Sequence, residues 1–255
     1  MLDISTIELT RQEKSKDFFL PIESTKDLAY VCGVLAGDGN IHTRFDKHEY
    51  SVTCLGNQLD EREFYDKVLL DLFYKLFNSK IKNKLHERDN TYGFTLRSKS
   101  LVLFLTKIIG LPSGRKDNIK IPTIFLDSKE MMKSFIQGFA DTDLCISLKR
   151  RYKNYQYYPV INGVSKSRIL RDEIADFLES EGFSVSRFTH NYYDPRVKKK
   201  ILKYEIAIYG HLQLVKWMQL IGFRHPKHLK KFQLWKERNK NNKRAFSALQ
   251  ELNSK

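Results

Sequence analysis

The chain is poor in the residues that staple small or secreted folds. It has three cysteines in 255 residues, Cys32, Cys54 and Cys145. An odd number at wide spacing makes no disulfide framework and points to a reducing interior. No Cys-x-x-Cys occurs, so a structural zinc site lacks its usual ligands. His225 and His228, without a cysteine pair beside them, read as solvated basic residues of a charged helix. No stretch approaches the ~18 consecutive apolar residues of a membrane span. The opening stretch Met1–Phe19 has no short apolar core behind a basic end, so no signal peptide is expected. An intracellular location, cytoplasm or organelle matrix, follows as the expectation. Acids are outnumbered, 30 Asp and Glu against 45 Lys and Arg, for a net charge of +15. At 41% hydrophobic and 13% aromatic the chain is too apolar for a disordered basic tail. It reads as a globular binder of a polyanion, first of all nucleic acid. A membrane-surface role lacks a basic amphipathic helix with an apolar anchor.

At ~150 residues per domain the length suggests one or two units, and an internal repeat favours two. Leu28 to Gly39 and Met132 to Leu144 are apolar segments that end alike: Gly33 matches Gly138, and Asp38 matches Asp143, both pairs 105 residues apart. Ser24-Thr-Lys-Asp27 and Asp127-Ser-Lys-Glu130 each look like a helix start, a cap followed three residues later by an acid. After Asp38, the runs 41–45 and 50–55 read as a hairpin, and Phe64 to Leu76 as a helix. Lys80 to Arg88 reads as a strand with one basic face, partnered by Tyr92 to Leu96, and a helix from about Ser100 closes at Ile109-Gly110-Leu111. The second half repeats the succession: hairpin (146–148, 157–161), helix (169–178), hairpin (184–190, 203–208) and a helix closing at Ile221-Gly222-Phe223. The expected organisation is an N-terminal extension (1–23), a first half (24–112), a polar linker (113–126), a second half (127–240) and a basic tail (241–255). Arg224 to Arg244 carries nine Lys and Arg and one acid, and reads as a helix that frays.

Small residues at Gly33, Ala36 and Gly37, and at Gly138 and Ala140, would let the two repeated helices pack closely. Each helix ends in an acid, Asp38 or Asp143, set against the macrodipole. A bound divalent cation would reverse that local electrostatics, and two carboxylates brought together make a hard oxygen site suited to Mg²⁺.

With these two motifs, Cys32-Gly-Val-Leu-Ala-Gly-Asp-Gly39 and Gln137-Gly-Phe-Ala-Asp-Thr-Asp-Leu144, the chain resembles the LAGLIDADG homing endonucleases in their single-chain, two-motif form. The resemblance runs from about residue 24 to 240 and includes Gly222-Phe-Arg-His-Pro-Lys227. It implies an α+β fold of two pseudo-symmetric αββαββα halves. Each half is a saddle-like antiparallel sheet backed by helices, and the halves pack through the two motif helices. It implies a monomer that binds double-stranded DNA, needs no protein partner and makes a double-strand break in a long asymmetric target. The break would come from metal-dependent hydrolysis with short 3′ overhangs, for intron homing. The implied metal is Mg²⁺, with Mn²⁺ able to substitute and Ca²⁺ supporting binding without efficient cleavage. Its ligands would be Asp38, Asp143 and the backbone at Gly37 and Thr142. The alternative is a non-cleaving nucleic-acid-binding protein on the same fold, an RNA maturase or regulator.

Two departures stand out. Leu144 replaces the usual final glycine, and Ala36 stands where the second motif has Asp141, an inner acid expected to cap the helix interface. Lys99 sits where the family often has a catalytic lysine, and His211 falls at the matching position of the second half. Lys166 and Asn57, at strand ends, are further catalytic candidates. Unequal halves would cut the two strands at unequal rates. The DNA-facing residues expected from strand alternation are His42, Arg44, Lys80, Lys82, Lys84, Arg88 and Arg97, then Lys149, Arg151, Lys153, Tyr155, Arg187, Lys203 and Tyr209.

Overall fold

The structure is a computed structural model that describes residues 1–151, 155–194 and 198–240; of Tyr155, Gln156 and Asp194 only the backbone is described. After a short helix α1 (Arg11–Lys14), the first half runs α2 (Lys26–Gly37), β1 (Gly39–Arg44), β2 (Glu49–Asn57), α3 (Gln58–Phe64), a π-helical turn (Tyr65–Leu69), α4 (Leu70–Phe77), β3 (Lys84–His86), β4 (Thr91–Arg97) and α5 (Lys99–Leu103). The second half runs α6 (Lys129–Asp143), β5 (Leu144–Arg151), β6 (Tyr155–Ser165), α7 (Arg168–Ser180), β7 (Val185–Asp194), β8 (Lys199–Tyr209), α8 (His211–Leu220) and α9 (Pro226–Arg238). The two four-stranded antiparallel sheets have the same order, β1-β2-β4-β3 and β5-β6-β8-β7. The α+β architecture of two like halves is as the sequence implies.

α2 is apolar on all sides and carries nine buried residues from Leu28 to Ala36, the signature of a helix with no solvent face. Its partner is α6. Gly33 lies against the Phe135 and Phe139 backbone, and Gly138 against the Tyr30 and Val34 backbone; a Cβ at either would overlap it. The backbones therefore touch at two reciprocal points, and the acid at each helix end is drawn to the same place. The caps are Thr25 and Ser128, which accept from Leu28 N–H and Met131 N–H. They lie one residue beyond the expected Ser24 and Asp127. The acids Asp27 and Glu130 instead pair with Lys75 and Lys26.

The peripheral segments are docked. Ile7, Phe18 and Leu20 join the core, and buried Glu13 accepts from the Ser98 hydroxyl at 2.5 Å. The linker is sewn to both halves: Gly114 N–H and Ser113 Oγ bond the Ile41 carbonyl, and Ile121 N–H bonds Glu173. The expected basic strand 80–88 shrinks to β3, three residues paired with Thr91, Tyr92 and Gly93. Beyond α8, α9 is firmly packed up to Arg238, with Trp235 and Phe232 buried, and it ties back to α3 through Lys227–Glu61 and Lys230–Glu63. His225 and His228 are not solvated: they are 1% and 0% exposed, His225 stacked on Phe64 and His228 tilted against Phe223. Both face the apolar seam under α9, because Phe232 and Trp235 need the same side of that helix. Among the described residues no helix is long and apolar enough to cross a membrane.

Candidate functional site

The packed ends of α2 and α6 set Asp143 in the wall of a cleft between the halves and bring Asp38 near enough to feel its charge. A Cβ on Gly37 would overlap the Asp143 carboxylate and the Thr142 hydroxyl, so only glycine lets Asp143 come this close to the end of α2. Burial first, then repulsion by Asp143 and Glu61, raises the Asp38 pKa to about 7; Lys116 and Lys227 oppose the shift. Burial raises Asp143 to about 6, again against Lys116. Both acids thus hold their protons more tightly than a solvated carboxylate, chiefly because burial disfavours the charged form.

Lys116 is the cation that the sequence reading missed. Its Nζ donates to the Gly37 carbonyl, and its own pKa is lowered by burial while Asp143 and Asp38 pull it up. A second lysine, Lys227, bonds Glu61 at 2.7 Å and acts on Asp38. The two occupy related positions, shortly after the helix-closing Gly110 and Gly222, and that spacing was the available signal. Glu61, held by the Asn57 N–H at 2.8 Å, is a third nearby acid. The cleft has a volume of about 1290 Å³ and is lined by Lys116, Lys166, Lys199, Lys200, Lys203, Arg115 and Asp143 among others. A basic trough suits a polyanionic backbone, and Asp143 lies within it.

Among the described residues no cluster of three or more His, Cys, Asp or Glu side chains is set to hold a metal. The donor set nevertheless fits Mg²⁺, which is commonly held by one or two carboxylates, waters and substrate phosphates rather than by a protein cage. Of the two expected backbone ligands, the Gly37 carbonyl is engaged by Lys116; Thr142 lies at the site, its hydroxyl bonded to the Phe139 carbonyl.

The other expected site residues divide. Lys166 lines the cleft with Asp143. Asn57 caps α3 through the Leu59 N–H, so its side chain serves the helix start. Lys99 is exposed, 5.8 Å from the Tyr50 ring centre. Because Tyr50 pairs with Thr43, Lys99 sits near the far end of β1 from Asp38. His211 is buried; its Nδ1 accepts from Trp235 Nε1 at 3.0 Å and its ring meets Tyr158 and Trp235. It anchors α9 and is not brought to the acids. Asp141, fully buried, accepts from the Tyr30 hydroxyl and from Arg224 and His225 N–H. Burial raises its pKa to about 6 against those bonds. It joins α2, α6 and the start of α9, the interface cap expected of it.

On the sheets, His42, Arg44, Lys84 and Arg97 lie on the open face of the first, opposite the buried Ile41, Val52 and Phe94. Lys80, Lys82 and Arg88 are exposed but off the strands. Lys149, Arg151, Lys203 and Tyr209 lie on the second sheet, Arg151 over Tyr158 and Lys203 over Tyr192. Arg187 faces the other way. It pairs across the strands with the buried Ile206 and forms ion pairs with Asp176 and Glu179 of α7 at 2.7 and 2.6 Å. Period-two alternation has two phases, and the acids of α7 decided this one. Lys153 lies outside the described residues.

No family model matches the chain. A curated relative, the uncharacterized protein MJ0314 of Methanocaldococcus jannaschii, is 22% identical over 166 residues, 65% of this chain; the match spans 58% of that relative's length. Solved structures are similar over most of the chain. I-DmoI in complex with DNA and Ca is 18% identical, with 82% of this chain and 96% of that one covered at a TM-score of 0.53. A mutant of I-SmaMI is 12% identical, with 91% and 96% covered at 0.53. The LAGLIDADG homing endonuclease I-GzeII in complex with its DNA target is 11% identical, with 91% and 97% covered at 0.50. The chain has the two-domain fold of the single-chain LAGLIDADG homing endonucleases.

Proposed function

We propose that the chain is a site-specific DNA endonuclease that hydrolyses both strands of a long, asymmetric duplex site with a divalent metal, leaving short 3′ overhangs in the manner of intron homing. The observation that carries the reading is the convergence of Asp38 and Asp143 around Lys116, where Asp143 and Lys116 line a basic cleft. Mg²⁺ or Mn²⁺ held by Asp38 and Asp143 would supply Lewis-acid polarisation of the phosphate and a lowered water pKa. Lys116 stabilises charge that develops on the phosphate and orients water by its remaining N–H groups. Lys166 and Lys203 hold the backbone beside the acids, and the two sheets together cover about two turns, ~20 bp. Two non-identical sheets in one chain call for a non-palindromic target.

The test is cleavage of duplex DNA that carries the uninterrupted sequence flanking the gene, in Mg²⁺, Mn²⁺ and Ca²⁺. The wild type is expected to linearise it in the first two and to bind without efficient cutting in Ca²⁺. Asp38→Asn and Asp143→Asn are expected to bind and not to break both strands. A variant that cuts at near-normal rate removes its acid from the mechanism; tight binding without cutting in any metal leaves a non-cleaving binder. Binding should also fall steeply with salt, with a slope near −0.9 per phosphate and at least about six contacts.

A further inference from the structure

The open faces of the two sheets are not alike. On the first, His42, Ser51, Thr53, Thr95 and Arg97 offer hydroxyls and cationic or imidazole groups, and Glu49 lies out at the hairpin end beside Arg44 and His42. At the centre of the second lies an acid. Ile206 and Ile208 of β8 are buried against the helices, so Glu205 turns to the open side. It sits in a hydrogen-bonded chain that crosses all four strands. Ser147 Oγ on β5 donates to Asn162 Oδ1 on β6 at 3.1 Å, and Asn162 Nδ2 donates to Glu205 Oε1 at 3.2 Å. His190 Nε2 on β7 lies 2.6 Å from Glu205 Oε2. From the helix side, Arg171 donates to the Glu205 carbonyl at 3.3 Å. The carboxylate is thus fixed in place from both flanks, and its cross-strand neighbours Val164 and Phe188 are exposed apolar groups.

We infer that Glu205 is a specificity-determining residue that selects cytosine in the half-site read by the second sheet; the inference rests on the DNA-cleaving reading above. Asn162 and His190 fix the carboxylate and leave acceptor positions on the open side, where an acid repels phosphate but matches a donor on a base edge. In the major groove guanine shows only acceptors and thymine an acceptor and a methyl, while cytosine shows the N4 amino donor. Adenine pairs its donor with the N7 acceptor, which a carboxylate disfavours. Two of the Glu205 lone-pair sites are used by Asn162 and His190, and the rest remain for the base. Glu205 lies two strands from β5, which starts directly after Asp143. Two strand spacings are roughly 10 Å, so at 3.4 Å per base the position read lies within about three base pairs of the cut. Val164 and Phe188 beside it suit thymine methyl groups.

The experiment is selection from a pool of random duplexes in Ca²⁺, then strand-resolved cleavage of the selected sites in Mg²⁺, for the wild type, Glu205→Gln and Asn162→Ser. The expected wild-type profile has one C·G position in the second half-site, within about three base pairs of the cut, preferred about tenfold over other pairs. Glu205→Gln keeps size and exchanges an acceptor for a donor, so that position alone should relax. Asn162→Ser, which frees the carboxylate to swing, should blunt the same position even if Glu205→Gln does not fold. A wild-type profile without such a cytosine overturns the assignment, as does a Gln variant that binds all sequences more tightly with its base preference unchanged, since the acid would then be only a repulsive charge. Selection of no duplex at all would remove the nuclease reading itself, a different failure from a selected site without the cytosine.

Discussion

Leu144 and Gly163 face one another across the first rung of β5 and β6, where Gly39 and Cys54 face one another across β1 and β2. Each half thus has one glycine in this pair, on opposite members. A Cβ on Gly39 would strike the Leu35 backbone, and a Cβ on Gly163 would strike the Asp143 carbonyl and the Leu144 side chain. Leu144 leaves α6 in extended conformation, φ −101° and ψ 161°, and is buried. The glycine at the motif end is needed for room and not for a left-handed turn, and the second half finds that room across the ladder. Leu144→Gly is therefore not a repair. We expect it to empty a core position at a cost of about 3 kcal/mol or more, seen as a melting point lower by about 10 °C, with no gain in the cutting of either strand. A variant of unchanged melting point that cuts both strands more evenly would restore the turn argument.

The contact of Gly33 with Phe135 and Phe139, and of Gly138 with Tyr30, leaves no space for a methyl group. Gly33→Ala or Gly138→Ala should cost about 1–3 kcal/mol by overpacking and separate the acids at the helix ends. Thermal unfolding together with cleavage at a permissive temperature tests this, with at least a tenfold loss of rate expected. Normal cleavage by both variants would mean that the interface can yield without moving Asp38 and Asp143.

Lys116 and Lys99 give a paired test. Lys116 touches the site through the Gly37 carbonyl, whereas Lys99 lies against Tyr50. Lys116→Met should lower the cleavage rate about 100-fold, near 2.7 kcal/mol of barrier, with DNA binding largely kept. Lys99→Met should change it less than threefold. The reverse order would assign the role to Lys99.

The acids give a pH signature in metal-free protein. Asp38 at about 7 and Asp143 at about 6 lie above the ~4 of an unfolded chain. The native state keeps protons that the unfolded state has lost, so stability falls by about 1.4 kcal/mol per pH unit for each group, from about pH 4 up to about 6 for Asp143 and about 7 for Asp38. Asp38→Asn should be more stable than the wild type by a few kcal/mol at pH 8, with the gap closing by pH 4. Denaturant unfolding in a chelator measures it, and added Mg²⁺ should narrow the gap at pH 8. A gap independent of pH would show that Asp38 is well solvated.

The buried histidines act in the opposite direction. Burial lowers His225 and His228 to about 3, below the ~6.5 of an unfolded chain. Stability is present above 6.5 and is lost as pH falls toward 3. The His228 ring has only a weak approach to the Asp141 backbone and no hydrogen bond of normal geometry, so His228→Phe forfeits little. It should gain about 2 kcal/mol at pH 5 relative to its effect at pH 8. Parallel acid unfolding curves for variant and wild type would exclude the histidine as a source of acid lability.

The duplication, the acid at the end of each repeated helix, the small residues that let those helices touch, and the excess of basic side chains were all legible along the chain. Each rests on local periodicity or on exact recurrence, which depend on nothing distant. The caps shifted by one residue because Thr25 and Ser128 compete with their neighbours for the same N–H groups, and strand ends moved by up to four, because pairing with the neighbouring strand sets them.

Which lysine meets the acids could not be read, because it depends on where the segments after Gly110 and Gly222 are pinned. Ile41 and Glu173 hold the first, and Asp141 and Glu61 hold the second. His211 looked like the mate of Lys99 by register, yet Trp235, 24 residues on, claims its ring. Arg187 looked DNA-facing by its charge, yet its register opposite buried Ile206 puts it on the helix side, where two acids of α7 take it. Sequence alone determined the two-fold plan and its paired carboxylates, since a repeat constrains both halves to one set of local forces. Tertiary packing decided the cationic partners and the acid on the second sheet, since long-range ion pairs and hydrogen bonds choose among side chains that local pattern leaves equivalent.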